Sequence, residues 1–155
     1  MYVVNGESRE SDKFKLKQRW MSAFGNWLQS LPETPPLLVV GDFNVAPEDR
    51  DVWNPVLFKN HINCTEEERK WLRTLQDGRL RDLLRSITDK PGIYTWWPYG
   101  KGFDRDEGMR IDLALGDKTT EEMVDLIRVD KEARMPGGLL ASPSDHAPLI
   151  IEIKR

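Results

Sequence analysis

Residues Leu37–Pro47 read LLVVGDFNVAP, and this stretch decides the fold that the sequence predicts. Its four leading apolar residues, Leu37–Val40, are typical of a strand that is buried on both faces. After Gly41, a carboxylate at Asp42 and a carboxamide at Asn44 lie two positions apart, on one side of the strand end. We therefore expect both side chains at the carboxyl edge of a sheet, where open α/β proteins keep their sites. The alternative is a turn in which Asp and Asn only shape the backbone.

Length and composition narrow the class of protein. A chain of 155 residues fits one domain and can bury a core. The net charge is −3, and the charges of both signs are mixed along the sequence, so no broad basic field indicates nucleic acid. The single Cys64 excludes an intrachain disulfide. No apolar run approaches the ~18 residues of a membrane span, and we expect a soluble, cytoplasmic protein.

Helical and strand-like patterns alternate along the chain, which predicts an α/β domain over residues 1–155. We expect a helix from about Lys13, capped by Asp12, and a second helix that begins at a Thr65–Glu68 capping box. Turns are expected at Asp77-Gly78 and from Pro136. The remaining predicted segments are a helix over 80–87, a strand over 93–97, a strand over 110–115, a helix over 119–126, and strands over 127–129 and 147–153.

Three acids stand at strand boundaries, namely Asp42, Asp112 and Asp145. A charged residue among apolar strand neighbours is costly unless it is paired or bound to a cation. With Asn44 and His146, these acids form a set of mostly oxygen ligands, with few nitrogens and no thiolate, which favours Mg²⁺ or Mn²⁺ over zinc. Such a set suits phosphoryl transfer to water. An alternative for His146 is a structural pair with a neighbouring carboxylate.

Five motifs occur in a fixed order and together resemble a known family. They are Tyr2–Gly6 (YVVNG), Gly41–Pro47 (GDFNVAP), Tyr94–Trp97 (YTWW), Arg110–Leu113 (RIDL) and Ser144–Pro148 (SDHAP). Over essentially the whole chain, they resemble the later motifs of the exodeoxyribonuclease III family of abasic-site endonucleases. That family lies within the endonuclease/exonuclease/phosphatase superfamily. The YTWW motif and the segment at 49–55 resemble its DNA-repair branch.

The resemblance implies a role for each matching residue at the reacting phosphate. Asp42 would orient or activate the attacking water, and Asn44 would hydrogen-bond the scissile phosphate. Asp112 would fix the tautomer of His146, whose other ring nitrogen would face a phosphate oxygen. The remaining implied roles are Tyr2 beside the phosphate or leaving group, and Asp145, Asp42 and Asn44 as the side chains at a Mg²⁺ (or Mn²⁺) site.

The resemblance also implies residues that contact double-stranded DNA at abasic sites or 3′ ends. Asn5 would lie beside the DNA. Trp96, Trp97 and Phe103 would form an apolar pocket for a sugar that lacks its base. Lys101 and Arg105 could contact phosphates, although solvated surface charge is the alternative for each, as it is for Lys59 and Arg69.

The sequence departs from the family in one respect. The family's DNase I-like fold is a four-layer α/β/β/α sandwich whose first half carries an Asn motif and a metal-binding Glu after a Gln. This chain has no Gln-Glu pair and only Met1 before Tyr2. We therefore expect part of the sandwich, with the first half missing and the domain incomplete at its N-terminus.

These observations lead to one main hypothesis and two alternatives. The main hypothesis is the C-terminal portion of a Mg²⁺-dependent DNA repair nuclease, active as a 3′-to-5′ exodeoxyribonuclease and abasic-site endonuclease. The first alternative is an inactive fragment or half-domain that needs an upstream half-domain, another partner chain or self-association. The second is a phosphodiesterase with a phospholipid or inositol phosphate substrate.

Overall fold

The computed structural model describes residues 1–76, 78–135 and 143–154, and it shows an α/β fold with two antiparallel sheets. This confirms the predicted fold class. The helices are α1 (Asp12–Ser30), α2 (Glu66–Gln76) and α3 (Lys118–Met123), with short 3₁₀ helices at Asp49–Asp51 and Lys131–Arg134. The strands are β1 (Leu38–Asp42), β2 (Arg81–Asp82), β3 (Asp112–Gly116), β4 (Val124–Val129) and β5 (Leu149–Ile153).

The first sheet has the order β1-β3-β2, and β4 pairs with β5 in the second. Side chains alternate along β3, so Leu113 and Leu115 join a core formed with α1 and α2, whereas Ala114 faces the second sheet. The first sheet therefore lies between a helical layer and the β4–β5 pair. None of the described helices is long and apolar enough to cross a membrane.

The starts of α1 and α2 each have a side-chain cap. At α1 the cap is Ser11, whose hydroxyl accepts from the Phe14 N–H at 3.0 Å, so the prediction of Asp12 was one residue late. At α2 the predicted capping box is confirmed, because the Thr65 hydroxyl accepts from the Glu68 N–H and the Glu68 carboxylate accepts from the Thr65 N–H, each at 3.2 Å.

The central strand is not buried on both faces, contrary to the prediction. Val39 is buried, but the neighbouring Val40 is 42% exposed. The second sheet covers Leu38 on that face, whereas Val40 lines an open groove of ≈ 640 Å³ between β1, β3 and β5. One face of β1 is thus only half covered.

Tertiary pairing overrides local pattern at three further places. The segment 80–87, predicted as a helix, contains β2, because Arg81 and Asp82 pair with Gly116 and Leu115 of β3. The segment 93–97, predicted as a strand, forms only single bridges at Trp96. The predicted helix over 119–126 ends at residue 123, where β4 begins. Asp77 of the first predicted turn and the predicted loop from Pro136 to Gly138 lie outside the described residues.

Candidate active site

The two sheet acids meet because β1 and β3 are antiparallel. In this register Asp42, at the end of β1, lies opposite Asp112, at the start of β3. His146, shortly before β5, places its Nδ1 2.8 Å from the Asp112 Oδ2. The end of one strand, the start of the next and the segment before β5 therefore bring an imidazole and two carboxylates to the same sheet edge.

The segment at Trp96 connects the third acid, Asp145, to this edge. Its backbone bridges Met109 on one side and His146 on the other. The indole Nε1 of Trp96 donates to the Asp145 Oδ2 at 3.0 Å, and the Tyr99 hydroxyl lies 3.4 Å from the Asp145 Oδ1. These contacts fix the Asp145 carboxylate beside His146.

Asn44 meets Asp42 through a tight turn and not through strand alternation. Its backbone is left-handed, with φ of 50°, a conformation that Asn tolerates better than most residues. The Asp42 carboxylate accepts from the Asn44 N–H at 2.8 Å and from the Asn44 carboxamide at 2.9 Å. Asn44 therefore both forms the turn and faces the site, so the turn interpretation and the site interpretation of Asp42 and Asn44 are compatible.

Seven of the residues that the sequence predicts for the site line one pocket of ≈ 450 Å³. Asn5 reaches it from the segment before α1, and its carboxamide donates to the Asn44 Oδ1 at 3.1 Å. Tyr2 arrives through a parallel bridge with Asp42. The seven predicted residues in the lining are Tyr2, Asn5, Asp42, Asn44, Trp96, Asp145 and His146.

Two ionisable groups in the pocket have shifted pKa values. Burial raises the pKa of Asp42 to about 6, while the Asn44 hydrogen bond opposes the shift. The hydrogen bond with Asp112 raises the pKa of His146, and burial partly opposes it. A carboxylate of this pKa can accept a proton near neutral pH, and a protonated imidazole can face an anion.

Four predicted DNA-contacting residues lie outside the pocket lining. Trp97 is only 1% exposed, its Nε1 donates to the Asp106 Oδ1 at 3.0 Å, and its ring packs edge-on against Phe103. Lys101 and Arg105 are exposed on the loop that follows. Trp96, and not Trp97, is therefore the tryptophan that presents its side chain to the pocket.

The sequence interpretation missed several residues at this site. Phe58 and His61 also line the pocket, and their rings pack edge-on, 5.7 Å apart. Lys17 lies beneath the pocket, fully buried and paired with Glu68. A signal for Lys17 was present, because it continues the buried stripe of α1 through Phe14, Met21 and Leu28 at helical spacing.

The side chains in the pocket are of the type that binds a hard cation, but too few metal-binding side chains lie together in the described part of the chain. Asp42, Asn44 and Asp145 offer the carboxylate and amide oxygens that Mg²⁺ prefers. Yet over residues 1–76, 78–135 and 143–154, no three Asp, Glu, His or Cys side chains lie close enough to hold one metal ion. The described residues therefore do not form a complete cation site by themselves.

The comparisons with known proteins agree with this geometry. The chain is 33% identical to exodeoxyribonuclease III of Haemophilus influenzae, over 99% of its own length and 60% of that protein. It superposes on the 3′ phosphatase NExo from Neisseria bound to product DNA hairpin, with a TM-score of 0.92 and 36% identity, over 100% of this chain and 60% of the other. An AP endonuclease from Archaeoglobus fulgidus gives a TM-score of 0.90 at 30% identity, over 99% of this chain and 59% of the other.

The chain thus spans about 60% of the length of these relatives. A family model described as the endonuclease/exonuclease/phosphatase family matches residues 7–146, which is most of the chain. The matched range includes Asp42, Asn44, Asp112 and His146. The chain therefore belongs to the endonuclease/exonuclease/phosphatase family.

Proposed function

We propose that this chain hydrolyses DNA phosphodiester bonds as a metal-dependent DNA repair nuclease, acting as a 3′-to-5′ exodeoxyribonuclease and an abasic-site endonuclease. The observation that carries the proposal is the single pocket lined by Asp42, Asn44, Asp145 and His146, with Asp112 hydrogen-bonded to the imidazole. A carboxylate base and an oriented imidazole around one cavity are groups that can catalyse hydrolysis of a phosphodiester bond.

Each residue then has a defined part in the reaction. Asp42, with a pKa of about 6, accepts the proton of the attacking water. The Asn44 carboxamide donates its two N–H groups to the Asp42 carboxylate and the Val3 carbonyl, and it exchanges one of these bonds for a phosphate oxygen when the substrate binds. Because Asp112 occupies Nδ1 of His146, the Nε2 of that ring faces the phosphate and offsets its developing charge. Tyr2 lies beside the leaving group.

The same proposal assigns the DNA contacts. Asn5 contacts the strand that enters the pocket, and Trp96 packs against a sugar that lacks its base. Trp97, which is buried and packs edge-on against Phe103, belongs with it to the apolar surroundings of that sugar and does not contact the sugar directly. Lys101 and Arg105, both exposed, contact phosphates of the duplex.

The relatives support the choice of substrate. The Neisseria protein is a 3′ phosphatase bound to a product DNA hairpin, and the Archaeoglobus protein is an AP endonuclease. For this chain we accordingly propose double-stranded DNA with 3′ ends or abasic sites. We also propose that Mg²⁺ or Mn²⁺ is required, with Asp145, Asp42 and Asn44 nearest to it and further ligands from outside the described residues.

A cleavage assay tests the proposal. The chain is incubated with Mg²⁺ and either a duplex that contains one abasic site or a duplex with a recessed 3′ end. We expect nicking and 3′ shortening that fall by about 10²–10⁴-fold in Asp42→Asn or His146→Ala. Asp125→Asn, an exposed acid on β4, is the matched control and should retain the parent rate. Cleavage that survives Asp42→Asn would contradict the proposal, as would preferential hydrolysis of a phospholipid or an inositol phosphate.

A second candidate function is a half-domain that becomes active only with a partner chain. Two observations favour it: the incomplete set of cation ligands among the described residues and the apolar groove at Leu38, Val40 and Ile151. The test adds the part of the Haemophilus relative that this chain does not span. Cleavage only after that addition would favour the half-domain, and cleavage by the chain alone would exclude it.

A further inference from the structure

Lys17 is a buried lysine whose charge the proposed chemistry does not use. The side chains of Lys17 and Glu68 are both 0% exposed. The ammonium donates to the Glu68 carboxylate, to the Asn44 carbonyl oxygen at 2.7 Å and to the Asn5 carbonyl oxygen at 3.2 Å. A lysine ammonium has three N–H donors, and here each of them has an acceptor.

The two carbonyls come from the two segments that carry the site's carboxamides. Asn5 precedes α1 and Asn44 follows β1, 39 positions apart, and their side chains hydrogen-bond at 3.1 Å. Asn44 is also the residue whose left-handed backbone aims its amide at Asp42. Lys17 therefore joins the backbones of both segments directly beneath their side chains.

We propose that Lys17 is a positioning residue, which holds the Asn5 and Asn44 segments at the spacing that the cleavage site needs. The inference rests on the proposed function of that site. Buried ion pairs contribute little net stability compared with apolar side chains of similar size. The ammonium is therefore expected to contribute chiefly the placement of two carbonyls, which an apolar side chain cannot provide.

The variants must separate a purely structural role of the Lys17–Glu68 ion pair from a role in positioning the site. Lys17→Met combined with Glu68→Gln removes both charges together, so no buried charge is left unpaired. The new amide can still accept from Thr65, which preserves the cap of α2. Lys15→Met is the matched control, because Lys15 lies on the same helix but is exposed and paired only with Asp12.

Hydrogen exchange at single backbone amides measures whether the Asn44 segment keeps its position. The Asn44 N–H is bonded to the Asp42 carboxylate at 2.8 Å, whereas the Leu83 N–H is bonded to the Ala114 carbonyl in the core at 2.9 Å. In the double variant we expect exchange at Asn44 to rise about tenfold or more while Leu83 keeps the parent rate. Lys15→Met should change neither. Unchanged protection at Asn44, or an equal rise at both amides, would overturn the proposal.

Kinetics supply the second readout. Misplacement of the carboxamides should lower kcat for DNA cleavage by about 10–100-fold in the double variant, with KM nearly unchanged. A rise in KM with kcat retained would contradict a positioning role. The exchange measurement does not depend on cleavage. Absence of cleavage by the parent chain would therefore overturn only the proposed function, and the exchange rates would still test the role of Lys17.

Discussion

At the scale of the residue, Gly41 permits the first residues of the chain to reach the site. Its φ is +141°, and a Cβ at this position would lie 2.0 Å from the Met1 carbonyl oxygen. The backbone there is engaged on both sides, since the Asp42 N–H donates to Met1 and the Val3 N–H donates to Asp42. This pairing is what carries Tyr2 to the pocket.

We predict that Gly41→Ala destabilises the protein by about 2 kcal/mol or more, because the methyl group would overlap backbone that cannot easily move. Gly100→Ala is the matched control: Gly100 also has a positive φ but has open space around it. That change should cost less, about 1–2 kcal/mol, which is the strain of the backbone alone. Urea unfolding measures both, and equal costs would show that the contact with Met1 is unimportant.

The sequence alone predicted several individual residues of the site. Polar residues at apolar strand ends pointed to Asp42, Asp112 and His146, because an unpaired charge in such a place would be costly. Lys17 was missed because a lysine in a helix is normally solvated, and only the three-dimensional fold supplies its buried acceptors. Trp97 was assigned to the pocket together with Trp96 because of the resemblance, since the sequence alone cannot say which of two adjacent tryptophans faces the site.

At the scale of the element, a buried carboxylate joins the 3₁₀ helix at 49–51 to the segment before β3. Asp51 is fully buried, and Arg110 approaches its two carboxylate oxygens at 2.7 and 3.2 Å. Arg85 contacts the same carboxylate. Burial raises the pKa of Asp51, but the two arginines outweigh that effect and hold it below its ordinary value.

We predict that this carboxylate makes stability depend on pH in the acid range. Because the pKa of Asp51 is lower in the folded state, its contribution is present above the unfolded value of about 3.9 and is lost as pH falls through the folded value. Asp51→Asn should lower the free energy of unfolding by about 3 kcal/mol at pH 7 and flatten its decline below about pH 4. The exposed Asp49→Asn is the control, and a decline as steep in Asp51→Asn as in the parent would contradict the assignment.

The cap of α2 gives a prediction at the same scale. Thr65→Ala removes the hydroxyl that accepts from the Glu68 N–H and should cost about 1 kcal/mol. Thr74→Ala, on the exposed side of the same helix, should change the free energy of unfolding by less than about 0.5 kcal/mol. Thermal or urea unfolding of both variants checks the difference, and similar values would mean that the cap contributes nothing.

Elements with their own local signals were predictable, and elements defined by pairing were not. The capping box at Thr65 and the prolines after α1 mark helix ends within a few residues of sequence. In contrast, β2 is two residues long and exists because β3 lies beside it. A helical pattern over 80–87 cannot reveal that neighbour, since tertiary contacts override weak local propensity.

At the scale of the whole molecule, the site and the open groove share a residue. His146 lines both the pocket of ≈ 450 Å³ and the groove of ≈ 640 Å³, and Asp112 lines the groove while holding the imidazole. Any polypeptide that covers the groove would therefore contact the His146–Asp112 pair. This links the half-domain candidate to the chemistry, because the same contact would change the surroundings of the imidazole.

We propose that DNA binds at the pocket lined by Asp42, Asn44, Asp145 and His146, with Asp112 hydrogen-bonded to the imidazole. The chain's six tryptophans give one indole N–H signal each, and they report binding without any turnover. Trp96 lines the pocket and donates to Asp145, whereas Trp27 is exposed on α1. The most direct measurement is an NMR titration of these signals with a duplex that contains one abasic site, in the absence of divalent cations. We predict that the Trp96 indole signal shifts and that of Trp27 does not; a shift of Trp27 with Trp96 unchanged, or no shift at any tryptophan, would contradict DNA binding at this pocket.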